Sequence, residues 1–265
     1  MDIFAIIGSV LGITMILIGY VLEEGVLGAL LKPSPLFIVF GGTIGATILA
    51  FPFSELKKIP AALKVVYTIK QYNEVDIINK LAELSEKARK DGLLSLEQDA
   101  QENPNELIKK GLALVVDGIE TDVIKDILER ENQLHESIHE SAIKVFEQMG
   151  GYSPTMGVLG TVMGMISILG NMEDPDTLGP KISTAFIATM LGVGMANLFY
   201  LPLANRIKSK AEREKMTNDL IIEGLLSIQA GENPRIIKEK LNLALLEKMS
   251  GKGSSKNTEA SEGEE

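Results

Sequence analysis

The chain has 265 residues, is 45% hydrophobic and carries a formal net charge of −10. The absence of cysteine excludes disulfides and thiolate metal sites, and an acidic chain without clustered Lys and Arg is a poor partner for nucleic acid. Four long uncharged runs exclude a single soluble globule and predict an all-α polytopic membrane protein, with four transmembrane helices and a helical cytoplasmic domain.

The first run, Ile3 to Leu22, is longer than a signal-peptide core and lacks both a basic leader and a small-residue cleavage site, so it reads as a retained span. After a turn with Glu23, Glu24 and Lys32, the uncharged run Pro33 to Phe53 gives the second span and closes a membrane segment over residues 1–53. Residues 54–149 form a cytoplasmic helical domain. There Ile77, Ile78, Leu81, Leu84 and Ala88 recur at helical spacing against Lys80, Glu83, Glu86 and Lys87, so one face is buried and the other wet. Asn103 with Pro104, and Asn233 with Pro234, read as N-caps followed by proline at the first helical position.

Residues 150–205 hold the third and fourth spans, GGYSPTMGVLGTVMGMISILG and ISTAFIATMLGVGMANLFYLPLAN, joined by the turn NMEDPDTLGPK. The two arms are antiparallel, which puts Pro154 and Pro202 at the same membrane face. The turn presents Glu173, Asp174 and Asp176, which read either as a small acidic mouth that concentrates cations or, no less well, as a solvated loop without a role. Further cytoplasmic helices follow at 206–249, and a polar tail at 250–265 is expected to be disordered. Half of the 26 Lys and Arg lie between Ser54 and Gln148, and nearly all the rest follow Asn205. Positive-inside reasoning therefore puts the large loop and both termini in the cytoplasm. Gly8 with Gly12, Gly41 with Gly45, and Gly160 with Gly164 have the four-residue spacing that lets helix backbones approach in lipid.

One motif points to an enzyme. His135, Glu136 and His139 spell HESIH, the pattern in which two imidazoles on one helix face hold zinc and the carboxylate acts as general base. The helix around it is amphipathic and charged, with Glu131, Glu140 and Lys144 close by, and no local motif supplies a third ligand. Coincidence is the better reading, and a zinc-dependent membrane peptidase is the alternative. The competing clue is an absence: no Asp, Glu, Lys, Arg or His lies inside any of the four spans, although such groups are the usual proton carriers. If protons cross here, another subunit brings the titrating carboxylate. Thr161 lies seven residues after Pro154, about 10 Å along the same helix face. Thr189 and Pro202 fall on nearly opposite faces of an ideal helix, unless Gly192 and Gly194 permit a distortion.

PTMGVLGTVMG from Pro154 to Gly164, FYLPLANRIK at the end of the fourth span, the loop stretch ARKDGLLSLE, and four spans with a large loop after the second together resemble the MotA flagellar stator family, among the MotA/TolQ/ExbB proton channels. The resemblance implies five copies around two copies of a MotB-type subunit, whose single span carries the proton-accepting Asp. It also implies a bacterial inner-membrane location in contact with lipid, no cofactor, and torque applied to the rotor protein FliG. On the same grounds Pro154, Thr161, Thr189 and Pro202 form the ion pathway and gate, and Arg89, Lys90 and Glu97 meet the rotor. Sodium-driven relatives resemble a pattern of two successive threonines in the fourth span. Here the pair is Ala188 and Thr189, which implies protons. ExbB and TolQ share the mechanism but resemble three-span proteins, so the extra N-terminal span favours the MotA branch.

Overall fold

The computed structural model describes residues 3–67, 73–170 and 175–261, and all regular structure among them is helical. In chain order the α-helices are α1 (Ile3–Leu22), α2 (Pro33–Leu36), α3 (Gly42–Ala50), α4 (Phe53–Leu56), α5 (Ile59–Tyr67), α6 (Glu74–Asp91), α7 (Glu97–Glu102), α8 (Glu106–Val116), α9 (Thr121–Leu169), α10 (Pro175–Met195), α11 (Leu201–Gln229) and α12 (Pro234–Ser261). Two π turns, Phe37–Gly41 and Ala196–Tyr200, join α2 to α3 and α10 to α11 without a break in helical course. Among the described residues, three helices are long and apolar enough to cross a membrane: Pro33–Ala50, Thr121–Leu169 and Leu178–Gln229. Helix α1 is apolar as well, over Ile6–Leu22.

Local chemistry explains most boundaries. The second apolar helix stops at Ala50, short of the expected Phe53, because Phe51 precedes Pro52 and is pushed to an extended conformation with φ −123° and ψ 138°. Pro202 has no N–H for the Leu198 carbonyl and its ring crowds that carbonyl, and the turn just before it opens from α to π. The cap expected at Asn103 sits two residues later. Asn105 Oδ1 accepts from the backbone N–H of Leu107 and Ile108 at 3.0 and 3.2 Å, while Asn103 instead accepts from Asn105 N–H. Asn233 caps α12 as expected, accepting from Arg235 N–H at 3.0 Å. The last helix runs through Ser261, beyond the point where a disordered tail is expected to begin. Glu173 and Asp174 of the expected acidic mouth lie outside the described residues, and Asp176 is described in its backbone only.

The chain divides into two compact units, Met1–Ile69 with Ser137–Lys210, and Lys70–Glu136 with Ala211–Glu265; α9 and α11 contribute to both. The second unit has its own aliphatic core. Leu81, Leu112, Leu128, Ile221, Leu225 and Leu241 are fully buried in it, each worth roughly 1.5–3 kcal/mol. The face of α6 expected to be buried is the buried one, with Ile78, Leu81 and Leu84 inside and Glu83 and Glu86 outside. Arg213 clamps the carboxylate of Glu74 at the start of α6 with two hydrogen bonds of 2.8 and 3.1 Å. In the first unit most large apolar side chains of α1, α3 and α9 point outward, including Leu11, Met15, Ile44, Ile48, Val162 and Ile166. That is the inside-out pattern of helices solvated by lipid.

Candidate functional site

The third and fourth apolar arms cross through glycine. A Cβ on Gly157 would lie 2.9 Å from the Ala188 carbonyl oxygen, and one on Gly192 would lie 2.5 Å from that of Ser153. Further along, Cβ atoms on Gly160 and Gly164 would meet those of Ala188 and Ala185 at 2.7 and 2.6 Å. Of the three glycine pairs singled out by spacing, Gly160 with Gly164 therefore lies at a close backbone crossing. Positions Gly8, Gly41 and Gly45 have open space at the Cβ, and Gly12 faces only the Leu198 side chain.

This crossing brings polar groups together within an apolar bundle. Thr161 Oγ1 on one arm and Thr189 Oγ1 on the other are 2.5 Å apart. Thr161 also reaches the carbonyls of Gly157 and Ala185 at 3.2 and 3.0 Å, and Thr189 reaches the same Gly157 carbonyl at 3.2 Å. Four oxygens thus converge where the helices touch. Two hydroxyls supply two protons and four lone pairs, so the cluster can donate to a carboxylate or accept a cation. One turn away, Ser153 Oγ donates to the Gly192 carbonyl at 2.9 Å, locking the same crossing. A cavity of about 540 Å³ adjoins the cluster, walled by Ile38, Gly160, Gly164, Ala185 and Ala188, with Lys32 and Lys181 also lining it. Lys32 Nζ donates to Thr184 Oγ1 at 2.6 Å.

The partner of Thr189 was not visible along one helix. Ala188, the residue beside it in sequence, is buried against Gly160 and takes no part in the oxygen cluster. Pro154 is half-buried next to Ser153, and Pro202 is exposed. The two prolines lie at corresponding ends of the arms, where Gly150 sits against Leu201. The distortion in the fourth arm falls at Ala196–Tyr200 instead of at Gly192 or Gly194, and it leaves Thr189 and Pro202 in different surroundings.

In the second unit, Arg89, Lys90 and Glu97 are all exposed around the turn between α6 and α7. Lys90 pairs with Glu86 one helical turn back at 2.5 Å, which pulls the Glu86 carboxyl below its usual range and raises the Lys90 ammonium. For HESIH, His135 is exposed and His139 buried, and Glu136 is held by Lys215 at 2.6 Å.

Residues 6–92 match the model of the motility protein A N-terminal region, and residues 99–220 match that of the MotA/TolQ/ExbB proton channel family. Motility protein A of Bacillus subtilis is 37% identical, covering 92% of this chain and 91% of its own length. The chain belongs to the MotA/TolQ/ExbB proton channel family. Solved structures agree with this. C. jejuni MotAB superposes with a TM-score of 0.86 at 30% identity, covering 92% of this chain and 96% of the other. The flagellar MotAB stator complex from Bacillus subtilis gives 0.84 at 36% identity, covering 91% and 95%. Family membership at this level makes the chain a flagellar motor stator subunit.

Proposed function

We propose that the chain is the conducting wall and torque arm of the stator. Four helical spans, 3–22, 33–50, 150–169 and 182–205, cross the bacterial inner membrane, with the large loop between the second and third and both termini in the cytoplasm. Five copies surround a MotB-type partner whose single span brings an Asp carboxylate to the Thr161–Thr189 cluster. Ion passage past that carboxylate changes its charge, and the helices bearing Pro154 and Pro202 relay the change as a shift in helix course. Arg89, Lys90 and Glu97 press on the rotor protein FliG. The chain needs no cofactor and makes or breaks no covalent bond; HESIH is read as ordinary helix, with the Glu136 carboxylate tied to Lys215 and His139 buried.

The observation that carries this reading is the hydroxyl pair at a glycine crossing, inside spans that hold no ionisable side chain of their own. It is polar, preorganised and incomplete without a carboxylate.

The ion has two readings. Ala188 beside Thr189 and the family's proton-channel description favour protons. The four converging oxygens favour sodium, because a hard cation requires several oxygen ligands and the second hydroxyl comes from the neighbouring helix instead of the next residue. Tethered-cell rotation with sodium replaced by potassium at constant proton-motive force decides between them. Rotation that continues assigns protons, and rotation that stops assigns sodium. Ion-driven rotation that survives Thr161→Ala together with Thr189→Ala would remove the cluster from the pathway altogether.

A further inference from the structure

The turn joining α6 to α7 displays an aliphatic side chain that the core leaves outside. Leu93 packs on the core and Leu96 is fully buried, yet Leu94 between them is 75% exposed. Among the described side chains of its unit it is the most exposed large hydrophobic, ahead of Leu134 at 67%. A single exposed leucine is ordinary on a protein surface. What sets this one apart is how firmly it is held and what surrounds it.

Gly92 has φ 84° and ψ 163°, a conformation open almost only to glycine, and it ends α6 abruptly. Its carbonyl accepts from both Ser95 N–H at 3.1 Å and Ser95 Oγ at 2.7 Å, closing the turn. Lys87, half a turn before Arg89, is tied to Asp99 on α7 at 2.7 Å, so both flanks of the turn are fixed. A side chain presented this way loses little freedom when it is covered by a partner. Flanking Leu94 along the chain on the two sides of the turn are Arg89, Lys90, Asp91 and Glu97, all exposed. An apolar centre inside a charged rim is the arrangement of a protein-binding hot spot. The rim carries both signs, and its acids disfavour an anionic bilayer or nucleic acid.

We propose that Leu94 is the apolar anchor of the rotor contact, seated in a hydrophobic pocket on the rotor protein whose edge carries charges complementary to Arg89 and Glu97. This rests on the reading of the same turn as the rotor-facing site. It adds a residue whose contribution is insensitive to salt. Charge contacts at a rim weaken as ionic strength rises, whereas burial of a leucine does not.

The test uses the purified stator complex, this chain with its MotB-type partner, and purified rotor protein. Leu94→Ser is expected to weaken binding about tenfold or more at both low and high salt. Leu94→Met should retain most of the affinity, and ion flux in rotor-free liposomes should be unchanged in both variants. The double reversal Arg89→Glu with Glu97→Lys should weaken binding chiefly at low salt. If Leu94→Ser binds like the parent while the double reversal does not, the anchor is refuted and the rotor-facing reading stands. If neither variant alters binding, both fall. The chain has no cysteine, so Leu94→Cys gives it a unique thiol. Rotor protein should shield that thiol from maleimide. Continued labelling with rotor protein bound overturns the proposal, as does shielding in the stator complex before rotor protein is added.

Discussion

At the crossing of the third and fourth arms, single atoms decide what is allowed. Gly192 and Gly194 are two residues apart in the same helix and look alike in sequence. In the structure an added methyl at Gly192 would fall 2.5 Å from the Ser153 carbonyl and 3.0 Å from Gly157 Cα, whereas one at Gly194 meets nothing within 4 Å. Backbone cannot give way as a flexible side chain can, so Gly192→Ala must push the arms apart, at a cost of about 1–3 kcal/mol. The same movement stretches the Ser153 bond to Gly192 and the Thr161–Thr189 contact. Gly192→Ala is therefore expected to stop rotation while the protein still inserts into the membrane. Gly194→Ala should rotate close to normally. Bead-assay torque, read beside the membrane level of each variant, checks both. The reverse result would mean that the hydroxyl pair tolerates separation.

Among elements, ladders and periodicities were legible in the sequence, and meetings between distant residues were not. The buried face of α6 follows from Ile78, Leu81 and Leu84 recurring at helical spacing, and the first helix follows from its uncharged length. The convergence of Thr161 and Thr189 was not readable from either helix alone, because it depends on which glycines let the arms approach. The π turn before Pro202 was likewise hidden, although the proline that accompanies it was plain. The Glu74–Arg213 clamp between α6 and α11 is a third such meeting, between residues far apart in sequence. Hydrogen bonding by Arg213 holds the Glu74 carboxyl below its ordinary value of 4.5. A carboxyl lowered in the folded state adds stability above its unfolded pKa and loses it as pH falls through the folded one. Arg213 is more than half exposed, so solvent screens the pair and the gain is small. Glu74→Gln should lower the thermal midpoint of the solubilised protein by about 1–3 °C at neutral pH. That difference should vanish on acidification well below 4.5. A difference that persists in acid would mean that packing, and not charge, is what Glu74 supplies.

Over the whole molecule, the chemistry is divided between the two compact units. The first holds the oxygen cluster and the outward-facing apolar surface, and the second carries the turn between α6 and α7, which we propose meets the rotor, on its own buried core. Neither holds a group that can take up and release a proton within the membrane, because no Asp, Glu, Lys, Arg or His lies inside the four apolar runs. Hydroxyls do not fill that role: they relay hydrogen bonds but do not titrate near neutral pH. A bare hydroxyl pair in a low-dielectric crossing also cannot offset the loss of a cation's hydration, which costs several kcal/mol even after relaxation. A carboxylate placed against the pair changes both terms at once. It supplies the titrating site for a proton, and for a metal cation it supplies the negative charge and a further oxygen. The chain reconstituted by itself in liposomes should accordingly pass neither protons nor sodium above the empty-vesicle leak. The same chain with a MotB-type partner should conduct, and changing that partner's intramembrane Asp to Asn should return the flux to the leak. The measurement is dye-reported internal pH, with tracer sodium uptake in parallel, under an imposed potential. Flux through the chain alone would require a conducting path that bypasses any carboxylate, and the assignment of Thr161 and Thr189 as an incomplete site would then be wrong.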